Sequence, residues 1–462
     1  MSVQLETPAS MVVVPSTDGA DSNALELDDI QHFLLMRPRA LAARYGFLTF
    51  RDAAQARQYV GKVAEYVGTG AKVAGATEVD SRWVTMAFTW NGLRALGVDE
   101  ASLATFPEEF KQGMAARAEV LGDTGANHPD HWIGGLASPD LHAIVILFAR
   151  DAAERDRCVR EHQQRVASFT GVQALSTLDL EATPPYEYAH DHFGYHDRLS
   201  QPVVEGSGEA PTPGSGAALK PGEFFLGYPD EEGSIPPLPQ PEILSRNGSY
   251  LAYRMLDEHV GAFREFLAQN GDTPEEQELI AAKLMGRWRS GAPLVLAPEK
   301  DDTALGADPQ RNNDFNFKEQ DPHGYAVPLG SHIRRMNPRD TGHNMNRRRM
   351  IRRGGSYGPA LPEGAPDDGV ARGIAAFIGC GSLVRQFEFA QNVWMNDRNF
   401  HELGNEHDPI CGTQDGTLEF KIPKRPIRKT ITGLPAFTTV RGGAYFFLPG
   451  MRALKWLASQ HG

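Results

Sequence analysis

The sequence predicts an α+β protein, with antiparallel sheet covered by packed helices. Short runs of strand length, alternating or wholly apolar, recur along the chain, and charged, alanine-containing stretches with helical spacing follow them. In the first part of the chain they run strand, helix, strand, then strand, helix, which is the order of a ferredoxin-like unit. A Gly/Pro/Ser-rich stretch then interrupts the pattern, and similar elements resume beyond it.

Residues 1–27 mix Ser, Thr, Asp and Pro without periodicity and read as a flexible leader. Order is expected from DDIQHFLL onward. Gly46 to Phe50 alternates and is aromatic, a short strand. DAAQARQYVG has helix-forming composition, with Asp52 as N-cap and Gly61 as stop. Arg82 to Phe88 is a second strand, and a helix over Asn91 to Leu96 ends at Gly97. Leu141 to Phe148 is apolar enough to be buried on both faces, and the charged helix Asp151 to Val166 follows it. His190 to Pro202 is a loop, punctuated by Gly194 and Pro202. Its HDHxxxHD composition raises a metal site, but the spacing matches no compact zinc set.

EGSGEAPTPGSGAALKPG, Glu205 to Gly222, has the composition of a connector. The chain therefore divides into a leader (1–27), an N-terminal domain (28–205), a connector (206–222) and a C-terminal domain (223–462). Glu223 to Asp230 reads as a strand and turn, followed by the Pro-rich turn SIPPLPQP. Asn247 to Arg254 is a strand, and Asp257 to Gln269 and Glu275 to Met285 are helices. Lys300 to Phe317 is polar and irregular. Gly373 to Phe389 reads as strand then helix, and Arg441 to Leu448 as a last strand before a short helix.

Composition narrows the function classes. Three separated cysteines (Cys158, Cys380, Cys411) form no CxxC pair, which argues against a disulfide framework or thiolate metal site. Cys380 reads as a small buried hydrophobe. No stretch reaches the ~20 apolar residues of a membrane span. The first thirty residues show neither a signal-like core nor a twin-arginine pair, so the expectation is a cytoplasmic protein. A net charge of -13 argues against nucleic acid and acidic membranes as general partners.

One stretch reverses that charge. Ser331 to Gly358, SHIRRMNPRDTGHNMNRRRMIRRGGSYG, holds eight arginines against the single acid Asp340. Taken alone, it reads as a solvated basic loop, a nucleic-acid patch or a site for an anionic ligand. The run HIRRMNPRD, followed after a gap by MIRRGGSYG, resembles the haem-ligand segment of the dye-decolourising (DyP-type) haem peroxidases. FGYHDRLSQP is similar to that family's GxxDG loop with its Ser-Gln-Pro. GRWRSGAPLVLAP, RQFEF and the final strand also match, and the resemblance spans roughly Asp28 to Ala458.

The resemblance implies two packed ferredoxin-like domains and one haem b per chain, held in the C-terminal half near the interface. It assigns His332 as the axial iron ligand, and Asp197 and Arg352 to the opposite haem face. Arg334 becomes the expected anchor of a haem propionate. The partners implied are H2O2 and a dye or other small-molecule reductant, and a homo-oligomer accords with the family. Tyr357, Trp394 and Tyr445 lie near the segments from which electrons could be relayed. Arg198 replaces the final glycine of GxxDG. Ser382 stands where relatives carry an acid beside the axial histidine, leaving Glu388 as a substitute. These departures keep open a haem-handling protein with little turnover. A non-haem enzyme or binding module on the same scaffold is a further alternative.

Overall fold

The computed structural model of the protein describes residues 24–35, 42–72, 82–181, 190–197 and 199–460. All but the last residues of the expected leader, and Arg198, lie outside them. Leu25 and Leu27 already pack on the core, and Glu26 pairs with Arg246 at 2.6 Å.

The first half contributes β1 (Ala42–Phe50), α1 (Ala53–Ala64), β2 (Trp83–Phe88), α2 (Trp90–Ala95), β3 (Ala143–Ala149), α3 (Ala152–Val166) and β4 (Val172–Glu181). The second contributes β5 (Ser249–Glu258), α4 (Val260–Asn270), α5 (Pro274–Met285), α6 (His332–Met336), β6 (Ile351–Tyr357) and β7 (Gly373–Cys380). A wide-turned helix over Leu383–Glu388 and Ala390–Met395, the hairpin β8 (Glu419–Ile422) and β9 (Lys429–Thr432), β10 (Thr438–Leu448) and α7 (Met451–Ser459) complete it. Caps are where short polar side chains satisfy the first free N–H groups. Asp52 accepts from Gln55 N, Asp151 from Glu154 N and Thr273 from Glu276 N.

The eight long strands form one antiparallel sheet in the order β4-β1-β3-β2-β10-β5-β7-β6. Read in chain order, each half arranges its four strands as fourth, first, third, second, the ferredoxin-like order stated twice. The halves join where Phe447 of β10 pairs with Phe88 of β2. The sheet curls until edge strands β4 and β6 meet, and a Cβ on Gly355 would lie 3.5 Å from Leu180. Period-two alternation divides the core. Tyr45, Tyr253, Phe377 and Phe446 pack on one face, whereas Phe88, Val145, Tyr250 and Phe447 pack on the other, beneath helices.

Several local expectations change. Helix α1 runs through Gly61 because the missing side chain admits α7: a Cβ there would lie 3.3 Å from Ala458 Cβ. Glu223 to Asp230 is no strand. It follows a single tight turn, with Gly227 at φ +91°, and buries Phe224, Phe225 and Tyr228 without a sheet partner. β4 and β6 carry no clear strand signal in the sequence, the first because its face is half polar, the second because it is rich in Arg and Gly.

A buried ion pair ties the halves together. Arg254 of β5 donates to both carboxylate oxygens of Asp123 at 2.6 Å, with the side chains 5% and 1% exposed. Asp123→Ala strands a guanidinium in the interior. We expect a loss of about 3–5 kcal/mol in denaturant unfolding.

Candidate functional site

Two adjoining cavities of about 230 and 290 Å³ lie over the outer face of β5, β6, β7 and β10. Asp197, His332 and Arg352 border both. The three residues singled out from two separate motifs therefore come together.

His332 opens α6, a helix of five residues whose seat is prepared by α5. Gly286 ends α5 at φ +99°, and any Cβ there would lie 2.4 Å from Ile333. Ser331 Oγ donates to the carbonyl of Lys283 at 2.5 Å, which locks the approach. The Nδ1 of His332 is 2.9 Å from Oδ2 of Asp408, which is fully buried. Its other oxygen accepts the N–H groups of Ile410 and Cys411. Burial pushes the Asp408 carboxyl up, but the neighbouring His332, the Cys411 N–H and Arg335 outweigh it and hold it below the ordinary value. With Nδ1 engaged by the carboxylate, Nε2 is the nitrogen left to bind a metal.

The acid beside His332 is thus Asp408 rather than Glu388, and Ser382 does not stand in its place. Ser382 caps the following helix by accepting from Arg385 N. Glu388 pairs with Arg117 and accepts the phenol of Tyr445 at 2.8 Å. Arg335, also fully buried, donates to the carbonyls of Trp394 and Glu406 and so fixes the segment that carries Asp408.

The loop bearing Asp197 is stapled to the start of β6. Arg352 Nη2 donates to Leu199 O at 2.6 Å, and its backbone N–H to Gln201 at 3.0 Å. Arg349 donates to Ser200 O, whose residue sits at φ +60°. Gly291 lets the RWRSG turn close on this loop, since a Cβ there would lie 2.9 Å from Leu199. Arg352 is enclosed by protein yet keeps accessible surface because it borders the cavity. Burial lowers its pKa, while the nearby Asp197 raises it.

Arg334 points elsewhere. It donates to Asp321 and to the carbonyls of Asp321 and Val327, stacks on Phe317, and borders neither cavity. Helix geometry explains this correction: a residue two positions on is rotated by about 200°, whereas Met336, four positions on, shares the face of His332 and lines both cavities. The cationic lining comes instead from Arg287, Arg339, Arg348, Arg349 and Arg352. Arg287 bonds the carbonyls of Gly291 and Asn312. Arg339 bonds those of Asn313 and Phe315 and stacks on Phe315. Among the described residues no carboxylate hydrogen-bonds or ion-pairs with Arg287, Arg339, Arg349 or Arg352. Burial, together with Arg352, lowers Arg287 to about 9 and Arg349 to about 10.

Such a group of desolvated guanidiniums needs an anion. A haem fits the donor set. It would find a free imidazole nitrogen, apolar walls from Leu256, Met336, Met350 and Ile374, and cations for its two propionates. The electron-relay candidates do not border either cavity: Tyr357 donates to Asp257, Tyr445 to Glu388, and Trp394 is buried. The pattern HELGNEHD, with its clustered acids and histidines, was the one signal that could have pointed to Asp408.

Comparison with known proteins points to one family. The family described as "DyP dimeric alpha+beta barrel domain" matches residues 35–180. Peroxidase 2 of Mycetinis scorodonius is 31% identical, over 95% of this chain and 89% of its own. A solved ancestral D-type dye-decolorizing peroxidase superposes with a TM-score of 0.83 at 30% identity, over 95% of this chain and all of its own. A dye-decolorizing peroxidase solved with 2,6-dimethoxyphenol gives the same TM-score at 27% identity, over 94% of this chain and all of its own.

Proposed function

The chain belongs to the dye-decolourising peroxidase family, and from that premise we propose that it reduces H2O2 and oxidises dyes or other bulky aromatic reductants in one-electron steps, using one haem b. The observation that carries this reading is the convergence of Asp197, His332 and Arg352 on one cavity lined also by Arg287, Arg339 and Arg349, arginines that no carboxylate among the described residues hydrogen-bonds or ion-pairs.

Bound haem supplies the redox chemistry that cleaves the peroxide O–O bond. His332 would hold the iron through Nε2. Asp408 accepts the Nδ1 proton, which fixes the tautomer and enriches the imidazole in electron density. Arg287, Arg339 and Arg349 would take the propionates, which relieves their mutual repulsion. Asp197 takes a proton from one peroxide oxygen and returns it to the departing one. The charge of Arg352 stabilises the negative charge that grows on that oxygen, and a guanidinium does so without pKa tuning.

An absorption spectrum before and after one equivalent of H2O2 tests the reading. The Soret band is expected to change, and to return when 2,6-dimethoxyphenol is added. A Soret band indifferent to peroxide would favour a haem-handling protein, and no band after haem supply would remove the haem assignment. Asp408→Asn keeps the shape but loses the charge on Nδ1. Haem affinity is expected to fall about 10–100-fold by competition with apomyoglobin, and the reduction potential to rise.

A further inference from the structure

The cavity also carries a second titratable set that this mechanism does not use. Glu258, the last residue of β5, is 6% exposed, and Asp191 lies on the loop that carries Asp197. Both border the same cavity as Asp197 and His332. Each is held by a backbone N–H of that loop: Glu258 by His192 at 3.1 Å, Asp191 by Tyr195 at 2.8 Å. Among the described residues no arginine or lysine forms an ion pair with either. The groups facing Glu258 are mostly acidic or neutral. They are Asp191, His192 and Asp197 from the loop, Tyr357 from β6, Cys411 from the 408–411 turn and Thr438 across the strand pair with β10. Arg289 acts electrostatically on Asp191, and Arg372 on His192.

Burial, and then the charge of Asp197, push Asp191 up to about 7. Burial and Asp191 push Glu258 well above the carboxylate range. At weakly acidic pH the two carboxyls therefore retain protons inside the cavity. The reaction needs them. Reduction of peroxide consumes two electrons and two protons, H2O2 + 2 H⁺ + 2 e⁻ → 2 H2O. Asp197 only transfers a proton from one peroxide oxygen to the other, and the electrons come from the aromatic reductant.

We propose that Glu258 and Asp191 form a carboxyl pair that delivers the two consumed protons to the cavity. In each delivery a carboxyl O–H bond breaks toward oxygen or water in the cavity, and the carboxylate is reprotonated from solvent. This inference rests on the peroxidase reading above.

The haem-loaded chain is tested with Glu258→Gln, Asp191→Asn and Glu258→Asp. Infrared spectra of wild type at about pH 6 should show protonated-carboxyl C=O absorption that shifts in D2O and loses one component in Glu258→Gln. The kcat of Glu258→Gln should fall at least about tenfold with an enlarged solvent deuterium isotope effect. Its second-order rate with H2O2 should stay within about twofold, because that step uses Asp197, and Glu258→Asp should recover part of kcat. Wild-type kcat should decline as pH rises through about 7, where Asp191 deprotonates.

Stability provides an independent readout. A carboxyl with a raised folded-state pKa keeps a proton that the unfolded chain releases above about 4. Wild type should therefore lose stability from about pH 4 upward, and Glu258→Gln should lose less. Unchanged kcat and isotope effect in both Glu258→Gln and Asp191→Asn, or no exchangeable carboxyl band in wild type, would overturn the pair. If wild type itself ignores H2O2, the peroxidase reading fails; if wild type turns over and the variants match it, only the proton-supplying pair fails.

Discussion

His332→Ala is expected to yield a folded protein that retains less than about a tenth of its haem, since even indirect partners of metal ligands are worth 10–100-fold in affinity. His332 lines the cavity with its Nδ1 oriented by the buried Asp408 carboxylate, which leaves Nε2 as the nitrogen that would bind iron. Truncation also leaves Asp408 buried without its partner, so a modest loss of stability accompanies the loss of haem. Added imidazole separates the two effects. It can occupy the vacated space, donate to Asp408 and restore a Soret band. Full haem occupancy in His332→Ala without imidazole would sink the ligand assignment.

Arg352→Leu should keep haem and its Soret band while the rate of reaction with H2O2 falls about 10²–10³-fold, the usual cost of removing one preorganised charge from an oxyanion site. Two contributions are combined in that figure. The guanidinium supplies the charge, and it also holds Leu199 and hence the loop of Asp197. Arg352→Lys distinguishes them. It keeps the charge but loses the forked geometry, so an intermediate rate means that both matter. Stopped-flow mixing with peroxide measures this directly, and wild-type rates in Arg352→Leu would remove the residue from the mechanism.

How far the chain could be read depended on whether the signal was local. Strands β1, β2, β3, β5, β7 and β10 were legible because alternation, or in β3 an unbroken apolar run, reflects how their two faces pack. Helix starts were legible because Asp52 and Asp151 satisfy N–H groups three residues away. His332, Asp197 and Arg352 stood out through motifs, each confined to a few residues. Asp408 did not, since it is 76 residues from His332 and reaches it only through the fold. Nor could eight arginines in one stretch be sorted by composition. Arg347 binds Asp230 and Arg353 the carbonyl of Phe33, while Arg339 and Arg349 line the cavity.

The sequence by itself determined the α+β class and the helix starts, because periodicity and side-chain capping are properties of neighbouring positions, and its short motifs carried the resemblance that singled out Asp197, His332 and Arg352. The tertiary structure alone decided which arginines are left without carboxylates, which acid orients His332, and that Glu258 and Asp191 share a cavity. Those outcomes depend on burial and on charges brought together from distant segments, and desolvation has no value until the chain has closed around it.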